Sequence, residues 1–261
     1  MNEPQGGITV VVPALDPAGS QCGDLKQTVD SIEVALVGTR HEIVIVTTSD
    51  SLSQPLPQWV TQNCRLLEES ASGHSQALNT GCEAAQENHI LVLNPGDQLL
   101  SSPALKHRLS ELDSGTIYCF RVISDKGFIG GIYPTCTPIP IRSYIQKHGL
   151  KIFTMLPHQG LLIPKNLFNA KTCYEGFYKL RMDFAFLMLL SKQNSENLLS
   201  AEALPAAYYL PGGISQKRSN FPLFFTEELK ITWRYYRRIW PTTVAKLLFS
   251  KIDSALIHRP K

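Results

Sequence analysis

The sequence predicts an α/β domain with a mostly parallel sheet flanked by helices, followed by a helical C-terminal tail. Residues 8–12 (ITVVV) and 42–46 (EIVIV) are β-branched runs of strand length. Between them, apolar residues recur at helical spacing, at Leu25, Val29, Ile32 and Leu36. A third apolar run, residues 89–93, is closed by Pro95 and Gly96. Strand, helix and strand in this order predict a right-handed βαβ unit and therefore parallel strands.

The first half continues with short elements. Residues 16–24 are rich in Pro, Gly and Ser, which favours a loop after the first strand. A further helix is predicted to begin at Trp59 and Val60, and residues 64–68 form the third predicted strand. The fourth strand, residues 89–93, follows a stretch that we interpret as a loop and a helix. In that interpretation residues 73–81 are a loop with Asn79 and Gly81 near its turn, and the helix extends over residues 82–88.

The second half has a different order. Residues 101–113 form an amphipathic helix with a serine cap, and residues 116–123 form a strand. Residues 126–133 contain three glycines, which predicts a hairpin or a mobile loop. Residues 134–140 contain three prolines and are expected to be extended. Another strand is expected after His158 and Gln159, and an apolar helix is expected to open at Asp183.

Two stretches carry the chemistry. Asp97 follows a buried strand, and a carboxylate just beyond such a strand lies where ligands bind in open α/β sheets. Asp183 lies at the start of the apolar helix, where the helix dipole keeps a carboxylate ionised. These stretches resemble the inverting family 2 glycosyltransferases with the GT-A fold, and among them the exopolysaccharide and colanic-acid-type transferases. The resemblance spans roughly residues 8–215 and rests on Gly73, Ala77, Asn79, Gly81, Ala85, Asn94, Asp97, His158, Gln159, Gly176, Phe177 and Asp183.

The resemblance implies a role for each matching residue. Asp97 would hold a divalent metal, Mn²⁺ or Mg²⁺, on the diphosphate of a nucleotide sugar. Asp183 would be the general base, with His158 and Gln159 beside it in the catalytic set. The nucleotide-sugar contacts would come from Pro13, Asp16, Thr47, Asp50, Gly73, Asn79, Asn94 and Gly213. The chain departs from the family pattern at Gly96, which stands where the family has a second acid, and at Thr47, where the family has acidic residues.

Ordinary structural roles stay open for the same residues. Asp97 can simply end a turn, because Pro-Gly-Asp is common turn chemistry. Asp183 and Asn79 can be helix caps, and His158 can be a core histidine with its hydrogen bonds satisfied. The glycine pair at residues 212–213 matches a loop that lies near the donor phosphates in the family, but it can also be a plain loop that binds no phosphate.

Three functions follow as hypotheses. The first is a metal-assisted inverting transferase that moves a sugar, UDP-linked by preference, to a glycan or lipid-linked acceptor in cell-surface polysaccharide synthesis. The second is a catalytically silent GT-A domain that binds sugar nucleotide or glycan, or supports a partner enzyme. The third is a nucleotidyltransferase, which should carry a glycine-rich basic loop after the first strand. Residues 13–24 contain no basic residue, and the nearest one is Lys26, which counts against this third function.

The predicted organisation is a GT-A domain over residues 6–215 and a basic, aromatic helical tail over residues 216–261. Within the domain, residues 6–100 form the nucleotide-sugar half and residues 101–215 the acceptor half. The tail alternates basic and aromatic residues, at Trp233, Arg234, Tyr235, Tyr236, Arg237, Arg238 and Trp240. Pro241 should divide it into two helical pieces. Such a tail suits an anionic membrane surface or packs its apolar stripe on the catalytic domain.

Composition limits which partners, metal sites and locations the protein can have. The chain has 261 residues and a net charge of +3, which does not indicate nucleic acid as a partner. Six cysteines without C-x-x-C spacing predict reduced thiols rather than a zinc site. The first residues do not resemble a signal peptide, and no apolar run reaches the ~18 residues that a spanning helix needs. We therefore expect a cytoplasmic protein that can lie on the inner face of the membrane. The sequence leaves open whether the protein forms a homodimer.

Overall fold

The fold was obtained as a computed structural model. It describes residues 6–48, 55–69, 73–129, 133–148, 156–193, 196–212 and 218–237. The strands are β1 (Ile8–Pro13), β2 (His41–Thr48), β3 (Arg65–Glu69), β4 (His89–Val92), β5 (Gln98–Leu99), β6 (Ile117–Ser124), β7 (Gly127–Ile129), β8 (Ile139–Pro140), β9 (Leu161–Pro164) and β10 (Leu198–Tyr208). The helices are α1 (Cys22–Ala35), α2 (Gln58–Asn63), α3 (His74–Ala84), α4 (Pro103–Ser110), α5 (Ile141–His148), α6 (Met182–Gln193) and α7 (Phe221–Tyr235).

These strands form one sheet in the order β3-β2-β1-β4-β9-β6-β10-β5, with β7 beside β6 and β8 beside β10. The pairs β1–β2, β1–β4 and β2–β3 are parallel, as the sequence predicts. Strand β9 is antiparallel to β4 and β6, whereas β10 is parallel to β6. The carboxyl ends of the parallel strands and the amino end of β9 therefore lie at the same edge of the sheet. These parallel strands are β1, β2, β3, β4, β6 and β10.

Helices cover both faces of this sheet and give it two apolar cores. Residues of α3, α5, α6 and α7 pack on one face, and residues of α1 and α4 pack on the other. Helix α6 is apolar around most of its circumference, which fits its position between the sheet and α7. The predicted amphipathic helix at residues 101–113 is confirmed as α4. The Ser102 hydroxyl accepts a hydrogen bond from Leu105 N at 3.1 Å and caps it.

The glycine-containing stretch before β4 differs from our prediction. Residues 74–84 are helical, so Asn79 and Gly81 lie within α3 rather than at a turn, and the helix ends before residue 88. Packing explains the glycine. A Cβ at Gly81 would lie 2.4 Å from Val11 Cγ1 and 3.0 Å from Val46 Cγ2, so α3 could not approach β1 and β2 as closely with any other residue.

Other elements differ from the sequence interpretation. Helix α1 begins at Cys22, inside the stretch predicted as a loop. Helix α5 was not predicted, and neither was β10, which holds a central position in the sheet. Strand β10 contains Pro205 at a register shift, where a missing N–H is tolerated. Within the segment predicted as a hairpin or mobile loop, residues 127–129 form β7 and pair antiparallel with β6, which agrees with the hairpin; residues 130–132 lie outside the described residues.

The tail is described only as far as residue 237. Its first part is α7, whose Ile231 and Tyr235 belong to the apolar core beside α6. Pro241 and the predicted second helical piece lie outside the described residues. Within the described ranges, no helix is both long enough and apolar enough to cross a membrane. The six cysteines are free, and Cys82 and Cys119 are buried in the core.

Candidate functional site

A shallow crevice opens at the sheet edge, between the ends of β1 and β2 and the start of α3. Pro13, Thr47, Gly73, His74 and Glu69 line it. The Thr47 side chain is buried, and its hydroxyl finds no hydrogen-bond partner among the described residues. Because an unpaired buried hydroxyl carries a free-energy cost, it is suited to a partner on a ligand. The crevice thus unites three of the residues predicted to contact the nucleotide sugar.

Asp16 lies in the loop between β1 and α1, and its carboxylate is used within that loop. It accepts hydrogen bonds from Gly19 N at 3.0 Å, from Ser20 N at 2.7 Å and from Ser20 Oγ at 2.9 Å. These bonds, led by the one from the Ser20 backbone, lower the pKa of Asp16. Asp16 therefore shapes the loop at the crevice. Asp50 and Gly213, which were also predicted to contact the donor, lie outside the described residues.

Asp97 is 2% exposed and points into the protein from the turn after β4. Its Oδ2 accepts hydrogen bonds from Asn94 N (3.0 Å), Asn94 Nδ2 (3.3 Å) and Gln159 Nε2 (3.0 Å). Its Oδ1 accepts a hydrogen bond from Leu210 N at 3.1 Å. Burial raises the pKa of Asp97, and the bond from Gln159 is the largest influence in the other direction. Asp97 thereby ties the β4 turn to the turn before β9 and to the segment after β10.

This arrangement does not fit a divalent metal at Asp97. Mn²⁺ and Mg²⁺ need several oxygen ligands, whereas both carboxylate oxygens of Asp97 already accept bonds from protein donors. Across the part of the chain that the structure describes, no three His, Cys, Asp or Glu side chains cluster as a metal site would require. Asp97 is better explained as a brace between three segments of the site.

A chain of polar contacts leads from Asp97 to Asp183. Asn94 Nδ2 lies 3.2 Å from His158 Nε2, and His158 Nδ1 lies 3.7 Å from Asp183 Oδ2. Since the Asn94 amide nitrogen also faces the Asp97 carboxylate, it must be a donor to both. His158 Nε2 is then an acceptor, so the ring proton of the neutral imidazole sits on Nδ1 and faces Asp183.

Asp183 lies in the first turn of α6, and its Oδ1 accepts a hydrogen bond from Phe184 N at 2.7 Å. Burial acts to raise its pKa, but the His158 contact, the charge of Arg181 and the Phe184 bond together lower the pKa of Asp183 to about 2. The carboxylate is therefore ionised throughout the neutral range. Its side chain remains 27% exposed, so a substrate can reach it.

Asn79 has a role that the sequence did not reveal. Its Nδ2 donates to Tyr174 O at 2.9 Å, and its Oδ1 accepts from Tyr174 N at 2.8 Å. This pair of bonds fixes α3 to the segment that precedes Asp183 in the chain. Asn79 is thus neither a cap of α3 nor turned to the crevice.

His74 also belongs to the site, although we did not select it from the sequence. Part of the residue reaches solvent, but desolvation first and the nearby His158 second lower the pKa of its imidazole to about 4, while Asp183 acts in the opposite direction. His74 is therefore neutral at pH 7; it lines the crevice, and the charges of His158 and Asp183 act on it. Its position directly after Gly73 was the available signal.

Comparisons with known proteins identify the fold. No protein-family model and no curated protein sequence matches the chain. Solved structures of TarS from S. aureus do match. TarS 1-349 matches with a TM-score of 0.60 over 88% of this chain and 66% of that one, and its complex with UDP with 0.62 over 93% and 70%. The complex with UDP-GlcNAc gives 0.59 over 93% and 71%.

Sequence identity to TarS is 12% in each case, and this chain spans 43% of the full TarS chain. The predicted fold class is confirmed: the chain is a mixed α/β protein with a GT-A-like fold.

Proposed function

We propose that the protein is an inverting glycosyltransferase that moves a sugar from a UDP-linked donor to a glycan or lipid-linked acceptor in cell-surface polysaccharide synthesis. The observation that carries this proposal is the polar chain from Asp97 through Asn94 and His158 to Asp183. It runs along the sheet edge beside the crevice and ends on an ionised, partly exposed carboxylate. In an inverting transfer one base must face the anomeric carbon from the side opposite the leaving diphosphate.

In the proposed step, the acceptor hydroxyl loses its proton to Asp183 as its oxygen attacks the anomeric carbon. The bond from the acceptor oxygen to that carbon forms, and the bond from the carbon to the β-phosphate oxygen breaks. The electron pair of the broken bond leaves with UDP. A carboxylate with a pKa of about 2 is a weak base, so proximity in the transition state must supply most of the advantage. His158 holds the carboxylate in place through its Nδ1–H.

The proposed donor site is the crevice lined by Pro13, Thr47 and Gly73. The Thr47 hydroxyl would pair with a polar atom of the nucleoside, and the two TarS complexes with UDP and UDP-GlcNAc support a uridine nucleotide as the ligand to test. Use of Mn²⁺ or Mg²⁺ remains a prediction from the resemblance alone. In this proposal Asp97 braces the site and is not a metal ligand.

A silent GT-A domain is the second candidate. The engaged carboxylate of Asp97 and the neutral Thr47 favour it, because the acids expected at a donor site are missing or occupied. Such a domain would bind UDP without turning over any donor.

Calorimetry with UDP, followed by assays of UDP release from a panel of UDP-sugars with cell-envelope glycan as acceptor, separates the candidates. The transferase proposal expects binding and release, with release lost in Asp183→Asn. Binding without release from any donor would support the silent domain. A protein that binds neither UDP nor UDP-GlcNAc would contradict both.

We also propose that the outward face of α7 lies on an anionic membrane surface near a lipid-linked acceptor. Lys230, Trp233, Arg234 and Arg237 are exposed, whereas the acids of α7, Glu227 and Glu228, are buried. Cations and a tryptophan on one helix face suit an anionic interface. Sedimentation with phosphatidylglycerol vesicles should show binding that weakens with salt and falls in a Lys230→Gln, Arg237→Gln double variant. Equal sedimentation with neutral and anionic vesicles would contradict this role.

A further inference from the structure

We infer that α7 belongs to the catalytic half of the protein and helps to position Asp183. It does so through Glu227, which holds the segment 174–181, here called the acceptor loop. The inference rests on the proposed function for its meaning, but its geometry can be tested without turnover. It differs from the predicted boundary at residue 215, which separates α7 from the catalytic domain.

Glu227 binds one end of the acceptor loop. Its Oε1 accepts a hydrogen bond from Lys179 N at 2.8 Å, and its Oε2 accepts from Leu180 N at 2.9 Å and Arg181 N at 3.0 Å. The carboxylate is 4% exposed, so these bonds are shielded from water. Bonds from backbone N–H groups to a carboxylate are charge-assisted and stronger than neutral ones. Three successive amides are thus held by one side chain of α7.

The other end of the loop is bound by Arg234 and Tyr235, seven and eight residues farther along the same helix. Glu175 accepts a hydrogen bond from Tyr235 Oη at 2.6 Å and lies 3.0 Å from Arg234 Nη2. Residues seven apart share a face of a helix and lie about 10 Å apart along its axis. The acceptor loop therefore runs beside two turns of α7 and is fixed at both ends.

Helix α3 holds the loop from another direction. Asn79 brackets the backbone of Tyr174, and Ser75 Oγ lies 3.4 Å from Glu175 O. The loop thus lies between the helix that borders the donor crevice and α7.

The clamped end leads directly into the first turn of α6. Arg181 N binds Glu227, while Arg181 O accepts a hydrogen bond from Ala185 N at 2.9 Å. Asp183 lies between these two bonds in the chain, so a shift of Arg181 must move it. The Arg181 guanidinium packs over the Phe184 and Phe224 rings at 4.7 and 4.6 Å, with Glu228 Oε2 3.9 Å from its Nε. The guanidinium whose charge lowers the pKa of Asp183 is thereby also in contact with α7.

Glu227 is a positioning residue in this account, because it acts on Asp183 only through the loop. The test uses the full chain and compares Glu227→Ala with two controls. Thr226→Ser changes an exposed side chain next to Glu227 on the same helix. Ile231→Val trims a fully buried side chain of α7 and lowers stability while leaving the Glu227 carboxylate in place.

The first readout is amide hydrogen exchange, which needs no substrate. In Glu227→Ala we expect exchange at residues 179–181 to be at least tenfold faster, with increased exchange at residues 183–185, whereas neither control changes these amides. The second readout is kinetic: kcat for sugar transfer should fall at least tenfold, while the Kd for UDP stays within twofold. Ile231→Val should keep kcat although it melts earlier.

Unchanged exchange at residues 179–185 in Glu227→Ala would overturn the clamp whether or not the protein turns over a donor. Faster exchange with unchanged kcat would overturn its role in positioning Asp183. A wild-type protein that releases no UDP from any donor would count against the proposed function, and the exchange experiment would still decide on the clamp.

Discussion

His158 Nδ1 lies 3.7 Å from Asp183 Oδ2, and the amide of Asn94 on the opposite side of the ring fixes which nitrogen carries the proton. Asp183 consequently faces a donor in every protonation state of His158. This relationship, with the Arg181 charge and the Phe184 amide, keeps the pKa of Asp183 near 2, although desolvation acts to raise it. The two residues are 25 positions apart in sequence, so only the sheet edge brings them together.

The first prediction concerns pH. The folded-state pKa of Asp183, about 2, lies below the ordinary value of 3.8, so the ionised carboxylate stabilises the fold above about pH 4 and this contribution is lost as the pH falls from there towards 2. In wild type, protonation of Asp183 should not limit kcat/KM above about pH 4. His158→Gln removes the imidazole contact, so activity should be lost at a higher pH on the acid side. His107→Gln, at an exposed site on α4, is the matched control. Identical acid limbs in His158→Gln and wild type would show that His158 does not set the ionisation of Asp183.

The second prediction concerns Asp97. In Asp97→Asn the amide offers one oxygen to donors that now meet both carboxylate oxygens, so at least one buried donor loses its partner. We expect a loss of about 1–3 kcal/mol in the free energy of unfolding, measured by urea denaturation. The exposed Asp24→Asn should be near neutral. If Asp97 only braces the site, Mn²⁺ will affect UDP binding equally in wild type and Asp97→Asn. A Mn²⁺ effect that disappears in the variant would instead assign it a metal role.

The third prediction concerns the crevice. Thr47→Val keeps the shape of the side chain and removes the hydroxyl that lacks a partner among the described residues. Stability should therefore stay equal or rise slightly, whereas the Kd for UDP should increase about fivefold to tenfold, the equivalent of one hydrogen bond of about 1 kcal/mol. Calorimetry on both proteins measures this. The conservative variant Thr47→Ser should retain wild-type affinity. Wild-type affinity in Thr47→Val would remove the hydroxyl from the donor site.

The fourth prediction concerns the contact between α3 and the sheet. Gly81→Ala places a Cβ 2.4 Å from Val11 Cγ1, so it should destabilise the protein by about 1–3 kcal/mol through overpacking. Gly23→Ala in α1 meets nothing within 4 Å and should stabilise its helix by about 0.5–1 kcal/mol. Thermal unfolding of both variants gives the comparison. Opposite signs are expected, and a neutral Gly81→Ala would show that α3 can move away from β1.

Local pattern was enough for part of this fold. The β-branched runs of β1 and β2 and the apolar spacing of α1 mark a parallel sheet, because period and composition are properties of the segment itself. Strand β10 escaped prediction because Pro205 and four alanines lower its strand propensity, and the neighbours β6 and β5 override that preference. Helix α3 escaped because Gly81 serves close packing there and not a turn.

Some residues of the candidate site were predictable, but their connections were not. Asp183, His158, Gln159, Asn94 and Asp97 do come together at one edge. Contacts such as Asn79 with Tyr174, 95 residues apart, or Leu210 N with Asp97, 113 apart, have no local signal. A hydrogen bond from a backbone amide, such as that of Leu210, does not depend on the residue type, so the sequence gives no sign of it. The carboxylate of Glu227 looks like any exposed helix acid in the sequence, and only the fold shows that it is buried against the acceptor loop.

The central claim is that Asp183 takes the proton of the acceptor in transfer from a UDP-linked sugar. The most direct measurement is kcat for UDP release in Asp183→Asn, together with the Kd for UDP from calorimetry on the same sample. Asparagine keeps the shape of the side chain and removes its basicity, so kcat should fall about 10²–10⁴-fold while the Kd for UDP stays within twofold of wild type. Full turnover in Asp183→Asn would contradict the account.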